Sequence, residues 1–402
     1  MKILMVNKFL YARGGSESYM LYLGEKLEQM GHEVEYFGML DEKNTVSNSA
    51  SLYTQNMDFH SRGLARFLYP FKIIYSFEAK RKIMRVIDRF QPDIVHMNNI
   101  NFQLTPSIIY GVKKRGIPLV QTVHDYQMIC PNHLLYNFEK NASCEKCLGG
   151  SHINCIKNKC IHSSFVKSVI GFIEAKVYSL LKTYKKVDLF ICPSVFLENK
   201  LKSHKKYFDG KTKTIHNFIN KEKFSNVGGE MGGYIAFVGR LSKEKGIENI
   251  ARAARLLPEY TFAVAGSGPD GDILKDIPNV ELRGFLTGEK LISFMSGAKV
   301  LLLPSVCYEN CPLSILESHC LGVPVVTMNY GGMAELVKDG ETGLLVDDPT
   351  PEAIASKLRE VFENTALYEK LLKNCKSEKD NVLDIETYLE ILIKEYEKLL
   401  AR

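Results

Sequence analysis

No stretch of this 402-residue sequence approaches the roughly 20 consecutive apolar residues that a membrane-spanning helix needs. No secretory leader is expected either. The N-terminus, MKILMVNKF, has one Lys and a short apolar run, then Asn7 and Lys8. A signal peptide needs a longer apolar region and a small-residue cleavage site. The segment reads instead as a first β-strand, and the protein is expected in the cytoplasm. Low-complexity tracts and short repeats are absent as well. Charge of one sign is scarce, since the net charge is only +6. That balance alone gives no argument for nucleic acid, and it fits an anionic small molecule or an anionic membrane surface. What is present is ordinary for a globular chain, with 45% hydrophobic and 24% charged residues. The length is too great for one ordinary core, so two domains are expected.

The pattern along the chain is α/β. KILMVNKF, HEVEYFGM, DIVHMNN, PLVQTVHD and VDLFICPS read as strands. GGSESYMLYLGEKLEQMG, FEAKRKIMRVIDRFQ and TPSIIYGVKKRG, lying between them, read as helices, the first stopping at Gly31. Strands separated by helices predict a parallel, doubly wound sheet. Residues 217–233, NFINKEKFSNVGGEMGG, are rich in Asn and Gly and read as a linker. The α/β pattern then restarts. YIAFVGR, YTFAVAGSGP, VELRGFL, KVLLLPS and PVVTMNY are strands, TPEAIASKLREVFENT is a helix capped by Thr350, and a long amphipathic helix closes the chain. The expectation is two successive Rossmann-like domains. In such sheets ligands bind beyond the carboxyl ends of the strands, and with two domains the natural site is the cleft between them.

Two stretches could carry chemistry there. FVGRLSKEKG places Arg240 and Lys245 just after a strand, where an Arg fork and a Lys point charge suit a diphosphate. On spacing alone the reading as two solvated surface cations is the favoured one. CYENCPLSILESHC, residues 307–320, carries Glu309 in a polar turn and Glu317 in a helical run opened by Pro312. Free N–H groups at such a helix start can hold phosphate, and carboxylates accept from sugar hydroxyls. The bland alternative makes Glu309 a helix-terminal charge and Glu317 a surface residue.

The run 237–346 resembles the donor-binding half of the retaining GT-B glycosyltransferases, specifically glycosyltransferase family 4. The matching pieces are GRLSKEKG, AGSGP, RGFL and PSVCYENCPLSILESHCLGVPVVTMNYGGMAELVKDGETGLLV, which holds the E-x7-E pair Glu309 and Glu317. Looser matches in the first half are RGGSESY, TVHD and KTIHNFIN, where Phe218 stands at a position the family usually fills with glycine. The resemblance implies a GT-B fold, with two Rossmann-like domains whose parallel sheets face across a cleft. It divides the chain into an acceptor-binding domain over 1–220, a nucleotide-sugar-binding domain over 221–380, and a helix over 381–402 crossing back to the first domain.

Roles follow by position. Arg240 and Lys245 would neutralise the donor diphosphate, and Glu317 would hydrogen-bond the nucleotide ribose. Glu309 would contact sugar hydroxyls, and His124 would lie near the sugar. Backbone groups around Asn310, Cys311, Pro312 and Leu313, together with Gly266, would bind the donor, with Gly14 and Gly15 permitting close approach. The implied reaction is transfer of a hexose-type sugar from a nucleotide diphosphate sugar, with retained configuration, to a glycan or lipid-linked acceptor in surface polysaccharide synthesis. A degenerate binding scaffold, a phosphorylase and an epimerase are the alternatives. No residue needs to be a covalent nucleophile. No cofactor is required for catalysis, and DGD at 270–272 reads as a turn rather than a metal site.

Two features remain. An insertion over 130–160 carries Cys130, Cys144, Cys147, Cys155 and Cys160. The spacing of Cys144, Cys147, Cys155 and Cys160 is close to that of a structural zinc site, with His133 and His152 as substitutes; five reduced thiols are the other reading. No recognition helix or basic–aromatic stripe follows, so a nucleic-acid module is not expected. Residues 61–85 and 163–186 mix Lys and Arg with Phe, Tyr, Leu and Ile. They read either as helices with one buried face or as segments lying on the inner face of the cell membrane.

Overall fold

The structure, a computed structural model, describes residues 1–56, 65–224 and 232–402. Residues 225–231 of the expected linker and 61–64 of the first basic–aromatic stretch lie outside the described residues. The chain forms two compact units. One comprises Met1–Leu135, Glu145–Ile215 and Ile385–Arg402; the other comprises Tyr136–Cys144 and His216–Asp384.

The first unit is built on strands β1 (Lys2–Val6), β2 (Glu33–Phe37), β3 (Ile94–Met97) and β4 (Leu119–Thr122). A short hairpin, β5 (Tyr136–Asn137) and β6 (Ala142–Ser143), follows in the chain. Strands β7 (Leu189–Cys192) and β8 (Thr212–Thr214) complete the sheet, in the order β2-β1-β3-β4-β7-β8, with every pair parallel. Ile3–Val6 of β1 and all of β3 are buried. That explains why they read as unbroken apolar runs rather than as alternating ones. Helix Phe77–Phe90 shows how the outer layer is specified. Ser76 Oγ caps it by accepting from Ala79 N at 3.1 Å. Ala79, Ile83, Val86, Ile87 and Phe90 form its buried stripe.

The second unit repeats the plan with β9 (Tyr234–Val238), β10 (Phe262–Ala265), β11 (Val280–Gly284), β12 (Ala298–Leu303), β13 (Val325–Met328) and β14 (Gly343–Val346). Their order is β11-β10-β9-β12-β13-β14, again all parallel. Thr350 caps helix Pro351–Glu363, with Pro351 at its first turn, as the sequence indicates. The hairpin β5–β6 belongs here. Ser143 Oγ donates to Val306 O at 3.0 Å, and Asn141 Nδ2 donates to Glu248 Oε2 at 3.2 Å. Part of the cysteine-rich insertion therefore joins the second unit.

The last helix, Ile385–Leu400, packs within the first unit on helix Gly15–Gln29. Its inner face carries two tyrosines that reach buried polar groups. The Tyr388 hydroxyl pairs with that of Tyr19, and the Tyr396 hydroxyl with His96 Nδ1. His96 Nε2 lies 2.7 Å from Thr122 Oγ1, and Tyr19 hydroxyl 3.3 Å from the same oxygen. A fully buried histidine is tolerated because both ring nitrogens have partners. Burial lowers its pKa to about 3, so it stays neutral.

Candidate active site

Each sheet has one point where strand order reverses: between β1 and β3 in the first unit, and between β9 and β12 in the second. Loops leave in opposite directions there and open a crevice at the carboxyl ends. The site is built from what each crevice carries.

In the second unit, β9 ends at Val238 and leads through Gly239 to Arg240. Arg240 is exposed and forms no salt bridge among the described residues. The short 3-10 turn Lys243–Lys245 follows, stopped by Gly246 at φ 77°. A Cβ on Gly246 would fall 2.0 Å from Pro304 O, so this turn is pressed against the end of β12. That approach brings Lys245 Nζ onto Glu309, which also accepts from Ser305 Oγ at 2.7 Å. Burial disfavours the Lys245 ammonium, but Glu309, Cys307 and Glu244 outweigh it and raise its pKa. The loop carrying Glu309 is fixed from both sides. Val306 N donates to Glu244 O at 2.9 Å, and Gly332 N donates to Glu309 O at 2.7 Å. The Tyr330 hydroxyl donates to Ser305 O at 2.7 Å.

Pro312 stands at the cap position of helix Leu313–Cys320, one step earlier than a first-turn proline, and no side chain caps that helix. Pro312 has no N–H of its own, so Leu313 and Ser314 supply the free donors at this end. Asn217 Nδ2 donates to Cys311 O at 2.9 Å. Cys311 is buried, and burial pushes its thiol up to about 12. Glu317 sits half-buried on the helix and makes no salt bridge among the described residues. Burial raises its carboxyl pKa, with Lys223 opposing. Gly266, at φ 147°, would put a Cβ 1.8 Å from Gly239 O. It lets the loops after β9 and β10 stack.

The first unit holds Gly14, Gly15 and His124. Gly14 is the cap of helix Gly15–Gln29 and offers no side-chain hydrogen bond. The Glu17 carboxylate lies over this end, within 3.3 Å of where a Gly14 Cβ would stand, and accepts from Asn7 Nδ2 at 3.4 Å. His124 Nε2 lies 2.9 Å from Asn98 Oδ1, and the ring meets Tyr19 edge-on at 5.1 Å. Burial lowers its pKa to about 4, so it is a neutral imidazole at pH 7.

The structure thus brings Lys245 and Glu309 together, stacks Gly266 on the loop of Arg240, and holds Asn310 and Cys311 in the same loop. Sequence reading missed Ser305, Tyr330, Gly332 and Asn217. Each acts through a backbone atom, a single hydroxyl or one side-chain amide, and the Gly-Gly pair at 331–332 was the one signal available.

Three of the four cysteines named by the spacing lie together. Cys147, Cys155 and Cys160 share a buried cluster, with Cys155 hydrogen-bonded to Cys160. Cys144 follows β6 in the other unit. Among the described residues no group of three or more His, Cys, Asp or Glu side chains is arranged to hold a metal ion. Asp270, the first residue of DGD, accepts from Lys243 N at 2.9 Å, as a turn residue would. Among the described residues no helix is long and apolar enough to cross a membrane.

Comparison with known proteins agrees with this geometry. A family model described as Glycosyltransferase Family 4 matches residues 13–223, and one described as Glycosyl transferases group 1 matches residues 218–378. An uncharacterized 42.6 kDa protein in the cps region of Klebsiella pneumoniae is 26% identical over 93% of this chain and 99% of its own length. Among solved structures, the sucrose-phosphate synthase of Thermosynechococcus elongatus superposes with a TM-score of 0.72 at 19% identity, covering 100% of this chain and 99% of that one. Anabaena Alr3699/HepE in complex with UDP does so with a TM-score of 0.70 at 16% identity, covering 99% of this chain and 100% of that one. Both share the two-sheet architecture, which is the GT-B fold. The chain belongs to glycosyltransferase family 4.

Proposed function

We propose that the protein transfers a hexose-type sugar from a nucleotide diphosphate sugar to an acceptor hydroxyl, with retention of anomeric configuration. The observation that carries this reading is the pair of cations at the β9/β12 crevice. Arg240 is exposed with no salt-bridge partner among the described residues, and Lys245 is held charged by Glu309. Breaking a sugar–phosphate bond builds negative charge on the leaving diphosphate and positive charge on the sugar. Cations and the uncapped N–H groups of helix Leu313–Cys320 would stabilise that diphosphate, with Lys245 already held in place by Glu309. Glu309 orients Lys245 and offers its remaining lone pairs to sugar hydroxyls, while Glu317 accepts from the nucleotide ribose. His124, being neutral, can donate or accept at a sugar hydroxyl without adding charge. The relative bound to UDP supports a nucleotide donor here, and the Klebsiella relative of the cps region supports a role in surface polysaccharide synthesis.

Helix Phe165–Leu180 supports peripheral attachment to an anionic membrane. Its buried face is Ser168, Gly171, Glu174 and Tyr178, small or polar residues. Phe165, Val166, Ile173 and Leu180 stand on the opposite side, exposed, with Lys176 among them. That inverts the usual amphipathic order and presents apolar groups beside a cation, as an interfacial helix does.

The test is a panel of UDP-, GDP-, ADP- and dTDP-sugars, read by thermal shift and slow donor hydrolysis. One stabilising donor, cleaved slowly, is expected. No response from any donor in folded protein would refute the transferase reading. The anomeric proton coupling of a product then reads retention directly. Arg240→Ala is expected to lower kcat more than donor affinity, because the diphosphate charge grows in the transition state. Glu317→Ala should weaken donor binding.

A further inference from the structure

The crevice of the first unit, between β1 and β3, holds a second cationic group that the donor chemistry does not use. Lys8 follows β1 directly. Its Nζ lies 4.9 Å from the Phe9 ring centroid and 4.7 Å from that of Phe102. Arg13 stacks on the same Phe9 ring at 4.3 Å. Neither cation forms a salt bridge among the described residues. The nearby carboxylates are engaged elsewhere. Glu17 accepts from Asn7 and lies over the helix start at Gly14. Asp125 accepts from Gln127 N at 2.9 Å and Asn101 Nδ2 at 3.3 Å, and lies 3.8 Å from His133. His133 is kept neutral by burial. A buried amide stands at the same strand ends. Asn98 is 1% exposed, and its Nδ2 is a buried nitrogen with no hydrogen-bond partner among the described residues. Its backbone N donates to Val6 O, and Lys8 N donates to the carbonyl of the next residue, Asn99.

Two clustered cations, held on one aromatic ring without an acid between them, repel each other. The field of Arg13 adds to burial and brings the Lys8 pKa down to about 8, against the pull of Glu17 and Asp125. A dianion would reverse that balance and accept the Arg fork and the Lys charge together. We propose that Lys8 and Arg13 form a phosphate subsite on the first unit, which selects an acceptor carrying a phosphomonoester or diphosphate group. This rests on the transferase reading for the word acceptor, and on the geometry alone for the phosphate.

The experiment is competitive acylation of the full-length protein with acetic anhydride at pH 8, read lysine by lysine by peptide mass spectrometry. Half of Lys8 is neutral at that pH if its pKa is about 8, against roughly one in 250 for an ordinary lysine. Lys8 is therefore expected to label on the order of a hundredfold faster than surface lysines. Inorganic pyrophosphate should slow Lys8 labelling by about tenfold or more, by adding charge to the site and returning the pKa towards 10.4. The exposed Arg13→Gln variant should lose that protection, and Arg240→Gln, in the other unit, should keep it. Two further arms separate the sources of phosphate. A soluble sugar phosphate that protects Lys8 identifies a soluble acceptor. Protection by phosphatidic acid in phosphatidylcholine vesicles, and none by phosphatidylcholine alone, identifies a lipid-linked one. Unchanged Lys8 labelling with every phosphate probe overturns the subsite. Donor hydrolysis by the same wild-type sample keeps the two readings apart. Hydrolysis without Lys8 protection refutes the subsite alone, and protection without hydrolysis refutes the transferase alone.

Discussion

Lowering the pH from 7 to 5 should destabilise the first unit by at least about 2 kcal/mol; the main contributions can be worked residue by residue, and His133 and His152, also lowered by burial, add to the loss. His96 and His204 are 0% and 6% exposed, and burial brings their pKa values to about 3 and 4. An unfolded histidine titrates near 6.5, so below that pH the unfolded chain binds protons that the folded one refuses. The sign is then fixed. Stability from a depressed histidine is complete above the unfolded pKa and falls as pH falls. Between pH 7 and 5 each fully buried histidine loses about 1.9 kcal/mol. His124, at about 4 but partly exposed, adds about 1 kcal/mol after allowance for solvent.

Glu174 acts the other way. It is 7% exposed and faces Gln127 and Asp125; burial pushes its carboxyl up to about 8. An unfolded glutamate would be ionised at pH 7, so keeping it protonated in the fold costs stability that acid returns, about 2.6 kcal/mol between pH 7 and 5. The difference between the histidine loss and this gain is the net figure. Urea unfolding at both pH values, followed by pulsed hydrogen exchange on peptides from β3 and β4, measures it for this unit. The sequence has no tryptophan, so segment-resolved exchange is a better reporter than intrinsic fluorescence. Glu174→Gln should raise stability at pH 7 by up to about 3 kcal/mol and deepen the acid loss to about 5 kcal/mol. A wild-type unit equally stable at pH 5 and 7, with Glu174→Gln no steeper, would refute the reasoning.

Two other outcomes are expected. Lys245 and Glu309 side chains are 28% and 14% exposed, so Glu309→Ala strands a mostly buried ammonium and should cost about 2–3 kcal/mol, somewhat less than a fully buried pair would. The Lys245 pKa is raised, so this stabilisation is complete below the unfolded value near 10.4 and should be flat from pH 6 to 9 in urea titrations. Treatment with a chelator should leave the thermal midpoint unchanged, because among the described residues no group of three or more ligating side chains is arranged to hold a metal; a chelator-dependent drop restored by zinc would establish the thiolate set instead.

The sheets were legible in the sequence because buried parallel strands are locally apolar and glycine or capping residues mark their ends. KILMV and DIVHM announce themselves, as does Thr350 before its helix. The E-x7-E context identified the loop of Glu309 because it is a contiguous word. What stayed hidden was long-range. Nothing near residue 96 says that its histidine will be satisfied by Tyr396, 300 positions later. Nothing in YNFEKNAS says that its hairpin will join the second unit through Ser143 and Val306. Cysteine spacing was informative for Cys147, Cys155 and Cys160, which pack together, but nothing in it says that the stretch ending at Cys144 joins the second unit.

The glycines of the site show where motif and mechanism part. Gly266 was read as donor-binding, and Gly332 belongs to a recurring turn. Their Cβ atoms would fall 1.8 Å from Gly239 O and 1.5 Å from Asn310 O. Both oxygens are backbone and cannot rotate away, so each glycine is fixed by how loops stack at strand ends before any ligand arrives. Alanine at either position must push its neighbour aside and should cost about 1–3 kcal/mol as overpacking, more at Gly266 because its φ of 147° is unfavourable for any other residue. Donor affinity should fall with stability, since Gly266 supports the loop of Arg240 and Gly332 that of Glu309. Arg240→Ala, on an exposed side chain, should lose turnover with stability within about 0.5 kcal/mol of wild type. Paired urea titrations and donor-binding measurements on the three variants decide the matter. A Gly266→Ala protein of full stability that failed to bind donor would give that glycine a direct contact with the ligand, and the stacking argument would fail.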